Sequence, residues 1–306
     1  MAITLLRESS PSAPTLNGTA GTLIAVLDFC LVTTMGWVKE YSGTNLAVYR
    51  ASSGIGGNRF YLRVDDTGGQ NARIRCYESM SAVSTGTAPV PTDAQVNGGL
   101  YAYKSGTADT TARAWTFVSN GKMFYLFWNY SQSVGTWTSG GRFIAFGDFK
   151  SYKSGDAYNT FIMADAAASA TSNLTCSGVI GTITTSITGH YLVRSYTQIG
   201  ASIAANKYSD SVRGVATTSD AIGSGGITYP SPIEGGLIMA PIWVGEQSAA
   251  GARGQLPGIW NPCHARPLGH GDTFSGVAGL SGRSFEAIHV TGSSQVLIET
   301  SDTWDT

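Results

Sequence analysis

AWTFVSNGKMFYLFW, residues Ala114 to Trp128, holds two apolar runs around Asn120-Gly121. Asn-Gly between β-prone runs is the strongest short-range hairpin signal, because both residues accept the positive φ of a tight turn. The spacing predicts one strand over Ala114 to Val118 and a second over Met123 to Trp128. The second run is apolar at odd and even positions alike. Such a strand belongs between two layers, buried on both faces. The chain is therefore read as mainly β and antiparallel.

Working outward, period-two runs recur. Trp37 to Tyr41, Leu46 to Arg50, Arg142 to Phe149 and Thr160 to Ala164 read as strands. Asn58 to Asp65 and Ala72 to Tyr77 form a hairpin around Asp66 to Gln70. Its Arg59, Arg63, Arg73 and Arg75 are placed on one exposed face, with Asp65 and Asp66 near the turn. Local salt bridges are the first reading of that face, and an anionic ligand site the other. Pro89 and Pro91 mark Gly86 to Gly98 as loop, and Lys150 to Asn159 is a polar loop. Later strands fit Leu174 to Ile180, His190 to Tyr196, Leu237 to Val244, Arg283 to Val290 and Gln295 to Thr300. Gly200 to Gly226 reads as an exposed Gly/Ser-rich excursion.

The best helix signal lies in Gly18 to Thr33. Leu23, Val26, Leu27, Cys30 and Leu31 share one face, and Thr19 or Thr22 can cap the start. Residues 1–17, with Pro11 and Pro14, read as an arm, loose or pinned by a neighbouring subunit. The expected organisation is this arm, then helix plus first β subdomain over 18–165, then a second β subdomain over 166–306. The Ala/Ser/Thr run at Ala166 to Ser172 marks the boundary. The fold class is an antiparallel β-sandwich, jelly-roll-like, with one short N-terminal helix and long ordered loops.

Residues 252–276, ARGQLPGIWNPCHARPLGHGDTFSG, stand apart. Pro257, Pro262 and Pro267 each fix φ and remove a donor, which predicts a stiff, extended strap rather than a helix. Leu256, Pro257, Trp260, Pro262, Pro267, Leu268 and Phe274 are its candidate assembly contacts. Cys263, His264, His270 and Asp272 are metal-ligand types, but their spacing fits no zinc pattern, so no metal is assigned. His270, Asp272 and Ser275 supply triad residue types without any evidence of triad geometry. Trp128, Tyr130 and Trp137 are candidate glycan-stacking aromatics, with core packing as the competing reading.

Of 306 residues, 13% are charged, and the net charge is −1. No Lys/Arg run exists, which argues against a nucleic-acid partner. Low surface charge suits a chain covered by other subunits. The N-terminus lacks a signal-peptide core, and no apolar run approaches the roughly 20 residues of a membrane helix. Cys30, Cys76, Cys176 and Cys263 match no motif and read as buried thiols. No dinucleotide, P-loop, HExxH or GxSxG pattern occurs, so neither cofactor nor enzymatic activity is expected.

Four strings carry a resemblance: PTLNGTAGTLIAVLDFCLV (Pro14 to Val32), FYLRVDD (Phe60 to Asp66), FGDFKSYKSGDAYNT (Phe146 to Thr160) and RGQLPGIWNPCHARPLGHGDTFSG (Arg253 to Gly276). Together the set resembles a family of virion structural proteins of tailed phages and prophages of Gram-negative bacteria, Pseudomonas and Burkholderia phages among them. The family carries no catalytic residues to transfer. The resemblance implies a virion component made in the host cytoplasm, with the tail tip or baseplate as its first expected place. Its partners would be other virion proteins and further copies of this chain. A head decoration or minor capsid protein is the alternative. A tail adhesin that binds a host glycan or pilus is the third reading.

Overall fold

A computed structural model describes residues 2–135, 137, 140–164, 189–200, 203–207, 230, 236–246, 249–262, 268–289, 295–301 and 304. The chain opens with β1 (Thr4–Arg7) and helix α1 (Thr22–Leu27), which continues as a π-helical turn over Asp28–Thr34. A six-stranded antiparallel sheet follows: β2 (Val38–Gly43), β3 (Leu46–Arg50), β4 (Tyr61–Asp65), β5 (Asn71–Ala82), β6 (Thr85–Val90) and β7 (Leu100–Tyr103). The remaining strands are β8 (Arg113–Ser119), β9 (Met123–Ser133), β10 (Gly141–Asp148), β11 (Lys150–Ser151), β12 (Thr160–Ala164), β13 (His190–Leu192), β14 (Ile203–Lys207), β15 (Met239–Glu246), β16 (Ala249–Pro262), β17 (Thr273–Ser275), β18 (Ser284–His289) and β19 (Gln295–Glu299). With β1 they make the second sheet, in the order β1-β8-β9-β10-β12-β13-β14-β15-β16-β19-β18-β17, with β11 on β16. The fold is mainly β and antiparallel, with one short helix among the described residues, as the sequence predicts.

The large sheet curls on itself. Ile3 and Leu5 from one end share a core with Phe127, Leu256, Ile288 and Val296. Arg7 on β1 also reaches Glu286 on β18, so strands from opposite ends of the sheet are tied by an ion pair. The outer face of β8, β9, β10 and β12 packs against the six-stranded sheet and α1 in a second core. β9 serves both cores. Phe124, Leu126 and Trp128 enter one, and Met123, Tyr125 and Phe127 the other. The double-sided strand read from the sequence is thus the shared wall of a three-layer arrangement.

The helix buries the expected face: Leu23, Val26, Leu27, Cys30 and Leu31 are all fully buried. Its cap differs from expectation. Neither Thr19 nor Thr22 caps it. Asp66 accepts from Leu23 N at 2.8 Å and Ile24 N at 3.4 Å, and Lys104 pairs with the same carboxylate. Asp66 therefore sits in a buried ion pair rather than on an exposed hairpin turn. A carboxylate held at the positive end of a helix is favourable, and Lys104 offsets the cost of burying its charge.

Three further expectations change. The arm is not loose in its described part: β1 pairs with β8 from Thr4↔Ser119 to Arg7↔Thr116, and Leu16 is fully buried. Pro89 lies inside β6, opposite Tyr77. Among the described strands β6 pairs only with β5, and an edge strand can spare the missing donor. Residues 252–262 are not loop but the C-terminal part of β16, paired with β15 and β19. The register shifts there, because Trp243 faces Gln255 while Pro241 faces Trp260. Pro257 and Gly258 occupy that bulge, where a proline costs no ladder bond. Residues 203–207, expected within an excursion, form β14. The expected boundary at 166–172, the strand at 174–180 and Pro267 lie outside the described residues. Either side of the boundary, the sheet is continuous, with Phe161 opposite Leu192.

Candidate functional site

The candidate site is the outer face of the six-stranded sheet. Alternation builds it. Leu62, Val64, Ala72, Ile74, Cys76, Leu100 and Ala102 point into the core. The intervening Arg63, Asp65, Asn71, Arg73, Arg75, Tyr77 and Tyr101 therefore emerge on the other side, where they line a cavity of about 550 Å³. The face is open because an antiparallel sheet needs only one covered side.

The register sets the electrostatics. Arg63 stands opposite Arg75, and Asp65 opposite Arg73. Like charges directly opposite oppose pairing, so each arginine is drawn aside. Arg63 bonds Asp65 at 3.2 Å and Val83 O at 2.9 Å. Arg75, expected to be exposed, is buried and bonds Asp93 at 2.7 Å, Pro91 O at 3.0 Å and Val96 O at 3.2 Å. Arg73 bonds Asn97 O at 3.1 Å and the Tyr101 hydroxyl, with its guanidinium 4.4 Å from the Tyr101 ring centre. Gly98 permits this position. A Cβ there would meet Arg73 Nη1 at 1.9 Å, and φ at Gly98 is +77°.

Both carboxylates stay ionised. Burial disfavours the charged form of Asp65, but its Thr67 hydrogen bonds and Arg63 outweigh this, and its pKa is lowered. Hydrogen bonds from Arg75 and Gly98 N hold Asp93 below the usual carboxylate range. Three guanidiniums thus meet two carboxylates, and the face keeps a positive surplus. Asn71 Oδ1 on the same face is buried and accepts no hydrogen bond. Buried polar atoms without partners are rare in folded proteins. The salt bridges expected here are present, but two predicted members are elsewhere. Asp66 is inside the body, and Arg59 donates to Ala51 O at 3.0 Å away from this cavity.

The other predicted residues pack within the chain. Leu256 is in the core between the curled ends of the large sheet. Pro257 is buried, and its carbonyl accepts from the Tyr125 hydroxyl at 2.9 Å. Trp260 is half-buried, edge-on to Phe285 at 6.1 Å, and donates to Glu299. Phe274 stacks on the same Phe285 at 5.3 Å. Pro262 is buried opposite Met239, and Leu268 O accepts from Gln295. The structure therefore brings Trp260 and Phe274 together, but around a ring of their own chain.

The aromatic trio does not form a stacking platform. Trp128 and Trp137 are buried in opposite cores, with indole N–H groups donating to Tyr103 O and His289 O. Tyr130 is half-buried, 5.2 Å from the Tyr103 ring and under the Arg142 guanidinium. His270 stacks on Trp137 at 4.3 Å, and its Nδ1 accepts the His289 N–H, so the nitrogen a triad carboxylate would hold is occupied. Cys263 and His264 lie outside the described residues. No group of three metal-ligand side chains clusters among the described residues. Cys30 and Cys76 are free thiols, and burial raises the pKa of each. Among the described residues no helix is long and apolar enough to cross a membrane.

Tyr101 and Asn71 escaped the sequence reading. Their signal was the alternation itself: Asn71-x-Arg73-x-Arg75-x-Tyr77 is a run of polar and aromatic residues at every second position. No protein-family model matches the chain, and no curated protein is similar to it in sequence.

Proposed function

We propose that the chain is a structural subunit of a tailed-phage virion, in the tail tip or baseplate, and that it works by surface contact rather than by a reaction. Its place would be the assembled particle, reached from the host cytosol, with other virion proteins and copies of itself as neighbours. The resemblance of the four strings supports this reading. The observation that carries it is the open arginine–tyrosine face, where three guanidiniums line one cavity. Arg253, Lys104 and Arg113 are spent on buried partners. A face so built favours binding, and arginine and tyrosine are the residue types that interfaces enrich.

The test is the copy number of this chain in purified particles, by quantitative mass spectrometry against the major capsid protein. A small fraction of the capsid count supports the tail tip or baseplate. A count near that of the capsid subunit moves the chain to the head as a decoration protein. Absence from particles overturns the virion reading. A second reading, an adhesin that binds a host surface, is favoured by the concavity of the same face, since ligand sites are concave and of this volume range.

A further inference from the structure

We propose that the cavity on the six-stranded sheet binds an acidic saccharide, a hydroxyl-rich ring carrying a carboxylate or phosphate group. The inference rests on the binding role of this face, and not on where the chain sits in a particle.

Three observations converge on that chemistry. The first is unused donors. Arg63 spends Nε and Nη2, Arg73 spends Nη1 and Nη2, and Arg75 spends Nε and Nη2. Arg63 Nη1, Arg73 Nε and Arg75 Nη1 have no protein acceptor among the described residues. Each arginine is held by its other nitrogens, so the free N–H groups are preorganised. Guanidiniums suit carboxylate and phosphate oxygens, and such charge-assisted bonds are the strong ones.

The second is the unsatisfied acceptor. Asn71 Oδ1 is buried and unpaired beside these cations. A bare anion brings it nothing. A sugar hydroxyl next to the anionic group can donate to Asn71 while the acid meets the arginines. The third is the wall. Tyr77 and Tyr101 are among the lining residues, Tyr77 clustered with Val48 and Met80 and Tyr101 beneath the Arg73 guanidinium, so the charged cavity has an aromatic edge. A lone carboxylate would supply the charge, but it brings neither a neighbouring hydroxyl nor the bulk to fill about 550 Å³.

The test is titration of the whole chain, by calorimetry and amide NMR, with four probes. These are a glucuronic-acid oligosaccharide, its carboxyl-reduced neutral counterpart, a sugar phosphate and inorganic phosphate. The glucuronate oligosaccharide, the sugar phosphate or both should bind, with shifts at the Asn71 side-chain amide. Whichever binds identifies the acid. The neutral sugar should bind about tenfold or more weakly, the worth of one charge-assisted hydrogen bond. Arg73→Gln and Asn71→Ala should each weaken binding. Asn71→Ala should not lower the urea midpoint, because it removes an acceptor that is already unpaired. Lys122→Ala, outside this face, should leave binding unchanged.

Equal binding of neutral and acidic sugars overturns the proposal. So does inorganic phosphate binding as tightly as either sugar acid, or full binding by the Arg73→Gln, Asn71→Ala double variant. If no probe binds, the saccharide assignment fails, while the particle copy number still decides the virion reading.

Discussion

Arg253 grips Asp156 through two parallel hydrogen bonds, Nε to Oδ2 at 2.8 Å and Nη2 to Oδ1 at 2.7 Å, with both side chains almost fully buried. The same guanidinium reaches Glu246 at 2.8 Å, Arg194 O at 2.6 Å and Tyr158 O at 3.1 Å. Arg253 thereby ties β16, β15 and the loop after β11 to one point. Two of the strings behind the sequence resemblance, Phe146 to Thr160 and Arg253 to Gly276, meet at this pair. Replacing Arg253 with Met should lower stability by about 3–5 kcal/mol, because it strands two carboxylates in the interior. Urea unfolding reads this as a lower midpoint at unchanged slope. A loss no larger than that of an exposed pair, below about 1 kcal/mol, would show that the cluster is solvated.

The same pair makes a pH prediction. Burial works against ionised Asp156, but the hydrogen bonds from Arg253 and Ser151 outweigh it and its pKa is lowered. A carboxylate with a lowered native pKa binds fewer protons folded than unfolded. Its contribution is therefore present above the ordinary Asp range, near pH 4, and is lost as pH falls through the lower native value. In Arg253→Met the hydrogen bonds from Ser151 and Tyr158 N remain, but the strongest opponent of burial is gone, so the native pKa of Asp156 rises. The penalty of the substitution should shrink between pH 7 and acid pH. A penalty that stays constant over that range counts against the linkage.

Where side-chain alternation met a single covering layer, the sequence was transparent. Leu62, Val64 and Ile74 announced the inner face of the small sheet, and with it the arginines of the outer one. Met123 to Trp128 announced a wall between two cores. What stayed hidden depended on partners far along the chain. Asp66 caps α1 from 43 residues away and pairs with Lys104 38 residues on, and no local pattern encodes such a meeting. Trp128 and Trp137 read as possible platforms because an aromatic looks the same in sequence whether or not a layer covers it. The strap misled through its prolines. Pro257 falls at a bulge in β16, which the spacing of prolines alone does not reveal.

Gly258 makes that bulge possible. Its φ is +68°, and a Cβ would meet the Trp304 ring at 1.9 Å. Trp304 is itself buried and donates to Glu299 O at 2.9 Å. Gly258→Ala thus combines left-handed strain, of order 1–3 kcal/mol, with displacement of a core indole. The expected outcome is a loss at the upper end of that range or beyond, with a change in Trp304 fluorescence. Gly251→Ala, also at positive φ but with open space around it, should show strain alone. Equal losses for the two variants would mean that the indole yields without cost.

Trp260 decides whether the β16 segment acts within the chain or between chains. Its ring meets Phe285 edge-on, its N–H donates to Glu299, and the Arg283 guanidinium lies 5.8 Å from its centre. All three contacts are internal, so Trp260→Ala should destabilise the isolated chain by about 1–3 kcal/mol, within the common range for point substitutions. The loss is smaller than the roughly 3–5 kcal/mol of a fully enclosed aromatic, for which Trp128→Ala is the control. Chemical unfolding of the isolated chain gives both numbers, and sedimentation of the same samples gives the oligomeric state. If Trp260→Ala leaves chain stability intact yet abolishes self-association, the half-buried ring belongs to an interface between copies. If the stability falls as expected and association among the folded molecules is unchanged, Trp260 is packing within one chain, and the assembly contacts lie elsewhere on its surface.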